Sequence, residues 1–324
     1  MKLEVKAKPS PRSKATVAAA VAAIFFISSA LAQQKDQVIK LNADLVVIDV
    51  TVTDKDGNFI RNLKAEDFAI YEDNQPQKID FFEMNEEAAL TRPIAVVFAL
   101  DVSGSITPEE VLKQREATEH FMKLVRPDSA FAIVAFNNEI RVLQDFTSDA
   151  KRIRAAFDKI KDVGGSSRIF GSIDRSVSML KRAPRFKNGR RLRRVVVILS
   201  DGFDNIDPTD QTELIRRANE AEVTVYSITL PSYLPGPNGN QRSLTLLDVS
   251  RVVPMTGGKD FSADTKDFTP VFRSIAEEIR ASYTIAYYPP EESRRDGRAH
   301  QLRIEALRSG AIVRASRTTY QAPK

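Results

Sequence analysis

The residues best suited to chemistry in this chain are oxygen donors that fall at the ends of apolar runs. Asp101-Val102-Ser103-Gly104-Ser105 follows the apolar run 94–100, and Ser200-Asp201-Gly202 closes the run 194–200. Between them lies Gly164-Gly165-Ser166-Ser167-Arg168, a glycine-rich stretch with two hydroxyls. Carboxylates and hydroxyls without His or Cys are hard ligands, suited to an octahedral divalent ion such as Mg²⁺, or Mn²⁺ or Ca²⁺. The 324 residues include no cysteine, which excludes thiolate catalysis, disulfide scaffolds and thiolate metal sites. The two histidines, His120 and His300, are too few for a His-rich centre.

Catalytic signatures do not surround these residues. No G-x-S-x-G elbow frames a serine, and neither histidine adjoins a nucleophile motif. A Rossmann G-x-G-x-x-G is absent after the first strand, no Walker A sequence occurs, and the aspartyl phosphotransferase D-x-D is broken by Ser103. The expectation is a binding protein and not an enzyme. Asp54-x-Asp56-x-Asn58 imitates the start of a calcium loop, but Phe59 replaces the glycine and Ala65 the final glutamate. A β-turn is the better account.

The elements that must position the donors alternate. Strands are predicted at 94–100, 131–136, 140–146, 194–200, 223–230 and 259–262. Helices are predicted at 107–125, 149–162, 169–182, 208–221, 243–252 and 268–281. Such alternation implies right-handed crossovers and a doubly wound, mostly parallel sheet covered on both faces. Ligands in that architecture sit outside the carboxyl ends of the strands, where all three donor stretches fall.

Both flanks read as β. Strands are predicted at 44–53, 69–72 and 78–82 before the α/β segment, and at 283–287, 302–306 and 311–319 after it. Each flank has too few strands for a core of its own, so the two are expected to form one small β-sandwich. The predicted division is therefore 33–92 for the N-terminal β segment, 93–282 for the α/β domain and 283–324 for the C-terminal β segment.

The net charge of +5 is concentrated at the start, where Lys2, Lys6, Lys8, Arg12 and Lys14 oppose Glu4. An uncharged, alanine-rich run to Ala32 follows, ending Ala30-Leu31-Ala32. A basic start, an apolar run and an A-x-A exit predict a secretory signal peptide over residues 1–32, an exported protein and no membrane span after cleavage. A kept membrane anchor is the less favoured reading. A nearly neutral, exported body argues against a nucleic-acid partner. One later stretch, 181–194, carries eight cations. It reads better as a solvated loop than as a site for an acidic polymer or anionic lipid.

Residues 93–282 resemble the von Willebrand factor type A domain. Asp101, Ser103 and Ser105 match the D-x-S-x-S of its metal-ion-dependent adhesion site (MIDAS), and Asp201 in Leu-Ser-Asp-Gly matches its third loop. Ser167 stands where the family's second loop carries threonine, which keeps the hydroxyl. The flanking segments resemble exported bacterial proteins related to this family. The resemblance implies a Rossmann-like fold and a divalent ion held by Asp101, Ser103, Ser105, Ser167 and Asp201. It also implies a partner that offers an Asp or Glu carboxylate to that ion. The alternative is a structural envelope or assembly protein in which the metal only stabilises the fold. In related adhesion domains the last helix can move and reshape the metal loops; here that helix, 268–281, runs straight into the next strand.

Overall fold

The computed structural model describes residues 45–84, 92–161, 163–188, 190–201, 207–230, 232–236, 239–243, 249, 251–263 and 267–324. The predicted leader, residues 1–32, lies outside them. The sandwich opens the described chain with β1 (Val46–Thr53), β2 (Phe68–Glu72), β3 (Gln75–Gln77) and β4 (Phe81–Met84). The α/β domain follows with β5 (Ile94–Asp101), α1 (Pro108–Leu124), β6 (Ala130–Phe136), β7 (Ile140–Thr147), α2 (Ala150–Phe157) and α3 (Ile169–Arg182). Next come β8 (Phe186–Lys187), β9 (Arg190–Arg191), β10 (Arg193–Ser200), α4 (Gln211–Glu220), β11 (Val223–Thr229), β12 (Ser232–Gly236) and β13 (Gly239–Ser243). The domain ends with α5 (Val252–Met255), β14 (Asp260–Ser262) and α6 (Thr269–Arg280). The sandwich is then completed by β15 (Tyr283–Tyr287), the short helix α7 (Glu291–Arg294), β16 (Ala299–Ala306), β17 (Ile312–Ala315) and β18 (Thr319–Gln321).

The central sheet runs β14-β11-β10-β5-β6-β7, parallel except for the antiparallel edge strand β7. Its inner strands are largely apolar, as expected of a sheet covered on both faces. Along β5, Ile94, Val96, Phe98 and Leu100 face one core with α1, α2 and α6. Ala95, Val97 and Ala99 face the other, beneath α3 and α4. Period-two alternation thus supplies two cores from one run of residues. Helix α1 begins on a capping box, in which Thr107 accepts from the Glu110 amide and Glu110 accepts from the Thr107 amide.

The flanking segments form two four-stranded sheets, β17-β1-β15-β4 and β18-β16-β2-β3, so strands from both ends of the chain interleave in each. Ile48, Val50, Val52, Phe68, Ile70, Tyr283, Ile285 and Ile304 fill the space between them. The predicted strand 311–319 divides, with β17 joining the first sheet and β18 the second. The Asp54–Asn58 stretch closes on itself: Asp54 accepts from the Asp56 and Asn58 amides at 2.9 Å each, as an Asx turn does.

Two expectations change. The helix predicted at 243–252 is, within the described residues, only the single turn α5, and an unforeseen hairpin, β12–β13, precedes it. The basic stretch is not simply a solvated loop, since Arg193 and Arg194 are buried. Arg194 donates to the carbonyls of Ala221 and Ala183 at 2.9 and 2.6 Å, and Arg191 pairs with Glu222 at 2.7 Å. Burial alone would raise Glu222, but Arg191 and Arg317 outweigh it and hold the carboxyl at about 2.

Two expected outcomes follow from the sandwich. Deleting 283–324 removes β15 from between β1 and β4, so amide exchange across 45–84 should accelerate; unchanged exchange would contradict a shared core. The second concerns His300, which is 5% exposed and bonded to Asp73 at 2.8 Å and Asp296 at 3.1 Å. Burial alone would lower its pKa, but the two carboxylates outweigh it and raise it. A raised folded pKa stabilises fully below the ordinary value of about 6.5 and is lost as pH rises through the folded value. The urea midpoint should therefore fall over that upward interval, and His300→Asn should flatten the dependence.

Candidate metal centre

The three predicted donor stretches converge at the carboxyl ends of β5 and β10. Asp101 is the last residue of β5 and is fully buried. One of its oxygens accepts from the Ser103 amide at 2.8 Å. The other accepts from Ser167 Oγ at 2.9 Å and from Ser200 Oγ. Ser103 Oγ lies 3.2 Å from Ser105 Oγ, which donates to Asp201 Oδ1 at 2.8 Å. All five predicted residues thus belong to one hydrogen-bonded group. Ser103, Ser167 and Asp201 are buried while Ser105 is exposed, so the cluster reaches solvent on the Ser105 side.

The electrostatics are unbalanced. Burial raises the carboxyl of Asp101. Burial also pushes Asp201 up to about 6, with the Ser105 hydrogen bond opposing and the charge of Asp101 adding to the rise. Among the described residues, no Lys, Arg or His forms an ion pair with either carboxylate, in contrast to the buried acids Asp49 and Glu222. Two desolvated carboxylates without a counter-charge are costly, and a divalent cation is the charge that balances two. Three hydroxyls beside them supply further hard oxygens, so the donor set fits such an ion. No group of three or more His, Cys, Asp or Glu side chains suited to a metal occurs among the described residues, so any ion here relies on hydroxyls.

Several supporting contacts were not legible as such in the sequence. Asn137 and Asn138, between β6 and β7, both hold the second loop. Asn137 Nδ2 donates to the Gly164 carbonyl at 2.8 Å, and the Ser166 amide donates to Asn138 Oδ1 at 2.6 Å. Gly165 adopts φ +85°, and a β-carbon there would lie 2.8 Å from Asn138 Oδ1, so the position admits glycine alone. The Gly104 amide donates to the Gly165 carbonyl at 3.1 Å, joining the first loop to the second. Ser200, the residue before Asp201, bonds to Asp101 and so joins the first and third loops. Asp204 and Asn205 lie outside the described residues. The histidines are elsewhere: His300 in the sandwich and His120 on α1.

Residues 96–203 match the family model for the von Willebrand factor type A domain, and the chain carries a domain of this type. Inter-alpha-trypsin inhibitor heavy chain H1 of Sus scrofa is 23% identical over 135 residues, covering 39% of this chain and 14% of the relative. Integrin alpha-D of Homo sapiens is 24% identical over 156 residues, covering 47% of this chain and 13% of the relative. The chain therefore spans a small part of the curated relatives it matches. Among solved structures, von Willebrand factor type A from Catenulispora acidiphila is 13% identical, covering 80% of this chain and 74% of that one, with a TM-score of 0.47. Proximal thread matrix protein 1 from the mussel byssus, in a form with a zinc-occupied MIDAS motif, is 15% identical, covering 61% and 47%, with a TM-score of 0.46.

Proposed function

We propose that this protein is an exported, metal-dependent protein-binding module whose ion is held by Asp101, Ser103, Ser105, Ser167 and Asp201. The observation that carries the reading is a pair of buried carboxylates, paired with no Lys, Arg or His among the described residues, with three serine hydroxyls beside them at the carboxyl ends of parallel strands. A bound Mg²⁺ or Mn²⁺ would supply a Lewis-acidic position for one further anionic oxygen. The chain's own residues do the rest. Asp101 and Asp201 offset the ion's charge, the serines add neutral donors, and the exposed Ser105 side gives a partner's Asp or Glu its approach. With both histidines outside the cluster, the proposed role is binding without catalysis.

Calorimetry with Mg²⁺ and Mn²⁺ tests the site. Wild type should take up one ion, Asp101→Ala should take up none, and Ser167→Thr should bind normally because it retains the donor oxygen. Capture of partners from envelope extract should require the metal and fail in EDTA. Equal metal uptake by wild type and Asp101→Ala would refute the site. Metal-dependent stability with metal-independent capture would favour a purely structural role. Export is tested separately: the mature protein should begin at Gln33, and recovery of Met1 on a membrane-bound form would indicate an anchor.

A further inference from the structure

Helix α3 begins immediately after Ser167, yet it lacks an N-cap of its own. Its cap residue is Arg168, which makes no side-chain capping bond. The missing acceptor comes from 36 residues away, where Asp207 Oδ2 accepts from the Gly171 amide at 2.8 Å. That amide belongs to the third residue of the helix, the position an ordinary N-cap side chain serves. The same oxygen lies 3.4 Å from Arg168 Nε, and the Asp207 side chain is fully buried. Its other oxygen accepts from the Thr209 amide at 3.0 Å.

Gly171 records how closely the carboxylate approaches. Glycine inside a helix is unfavourable. A β-carbon at this position, however, would lie 2.2 Å from Asp207 Oδ2, so only glycine leaves the carboxylate its place. Ser167 is thereby held from both sides. Asn138 grips the Ser166 amide before it, and Asp207 grips Arg168 and Gly171 after it. The Gly164-Gly165 pair gives the loop little stiffness of its own, so these two contacts fix where the Ser167 hydroxyl points.

We propose that Asp207 is a positioning residue of the metal centre, capping α3 from outside the helix and so presetting Ser167 before any ion arrives. The proposal rests on the metal reading for its consequence and on geometry alone for the clamp. Outer contacts of this kind typically change metal affinity by about 10–100-fold when lost.

Two single variants and their combination test it in the full mature chain. Asp207→Ala removes the clamp, and Gly171→Ala displaces it by occupying the carboxylate's space. Each should speed amide exchange across 166–171 in metal-free protein and weaken Mn²⁺ binding by about 10–100-fold. The double variant should lose little beyond Asp207→Ala, because the added methyl then meets no carboxylate and only the Ile140 side-chain tip at 3.0 Å. Faster exchange with unchanged Mn²⁺ affinity in Asp207→Ala would leave a merely structural cap and overturn the positioning role. Wild-type exchange and affinity in Gly171→Ala, or losses that add in full in the double variant, would overturn the proposal. Faster exchange in both single variants, with no Mn²⁺ uptake even by wild type, would uphold the clamp and overturn the metal reading instead.

Discussion

The molecule turns on one buried aspartate that three elements share. Asp49, on the face of β1 turned away from the sandwich core, accepts from Arg92 at 2.9 Å and from Thr284 of β15 at 2.9 Å. Arg193, the first residue of β10, brings its Nε to 4.0 Å of the same carboxylate. Burial alone would raise Asp49, but Arg92, Arg193 and Arg191 outweigh it and hold the carboxyl well below the usual range. Breaking a buried pair by removing one partner costs about 3–5 kcal/mol, because the survivor keeps an uncompensated charge. Here the lost partner would also free the place where the chain leaves the sandwich and the place where it returns. An inserted domain needs its entry and exit held together, and Asp49 does this with one side chain.

That junction constrains the last helix. Arg193 donates to the Ile279 carbonyl at 3.0 Å and to Ser282 Oγ at 2.7 Å, at the end of α6. Arg314 of β17 pairs with Glu278 of α6 at 2.9 Å. Three residues after α6 the chain is already Tyr283, paired between β1 and β4. Sliding α6 along its axis would break the Arg193 and Arg314 contacts and drag a strand with neighbours on both sides. Displacing α6 therefore requires breaking these contacts and moving a strand paired on both sides.

What the sequence disclosed follows from range. The run 94–100 declares its strand because every residue is apolar, and its position before Asp101 places the donors where such sheets bind ligands. The five candidate residues were legible for the same reason, since each follows a strand or opens a helix. Their supports were not. Asn138, Ser200 and Asp207 act across 28, 99 and 36 residues, and no local pattern marks an asparagine as a clamp. Two signals were present, though neither is decisive alone: α3 lacks a capping residue at 168, and a glycine stands three residues later. The basic stretch misled for a related reason. Counting charge locally hides Arg193 and Arg194, whose partners include Asp49 and the carbonyls of Ile279 and Ala221, all outside the stretch.

The same logic explains why the metal centre can tolerate its own cost. Asp101 and Asp201 are desolvated, and among the described residues no Lys, Arg or His pairs with either, which opposes folding wherever they are ionised. The surrounding fold offsets that penalty with apolar strands buried on both faces and with hydrogen bonds that cross between loops. Each loop is tied to another: Gly104 to Gly165, Ser200 to Asp101, Ser105 to Asp201. Loops joined in this way cannot relax apart to hydrate the two carboxylates one at a time. The unfavourable charge therefore stays concentrated at one point, which is the condition the proposed divalent ion would relieve. A looser arrangement would cost less, and under the proposed reading it would also hold an ion less tightly.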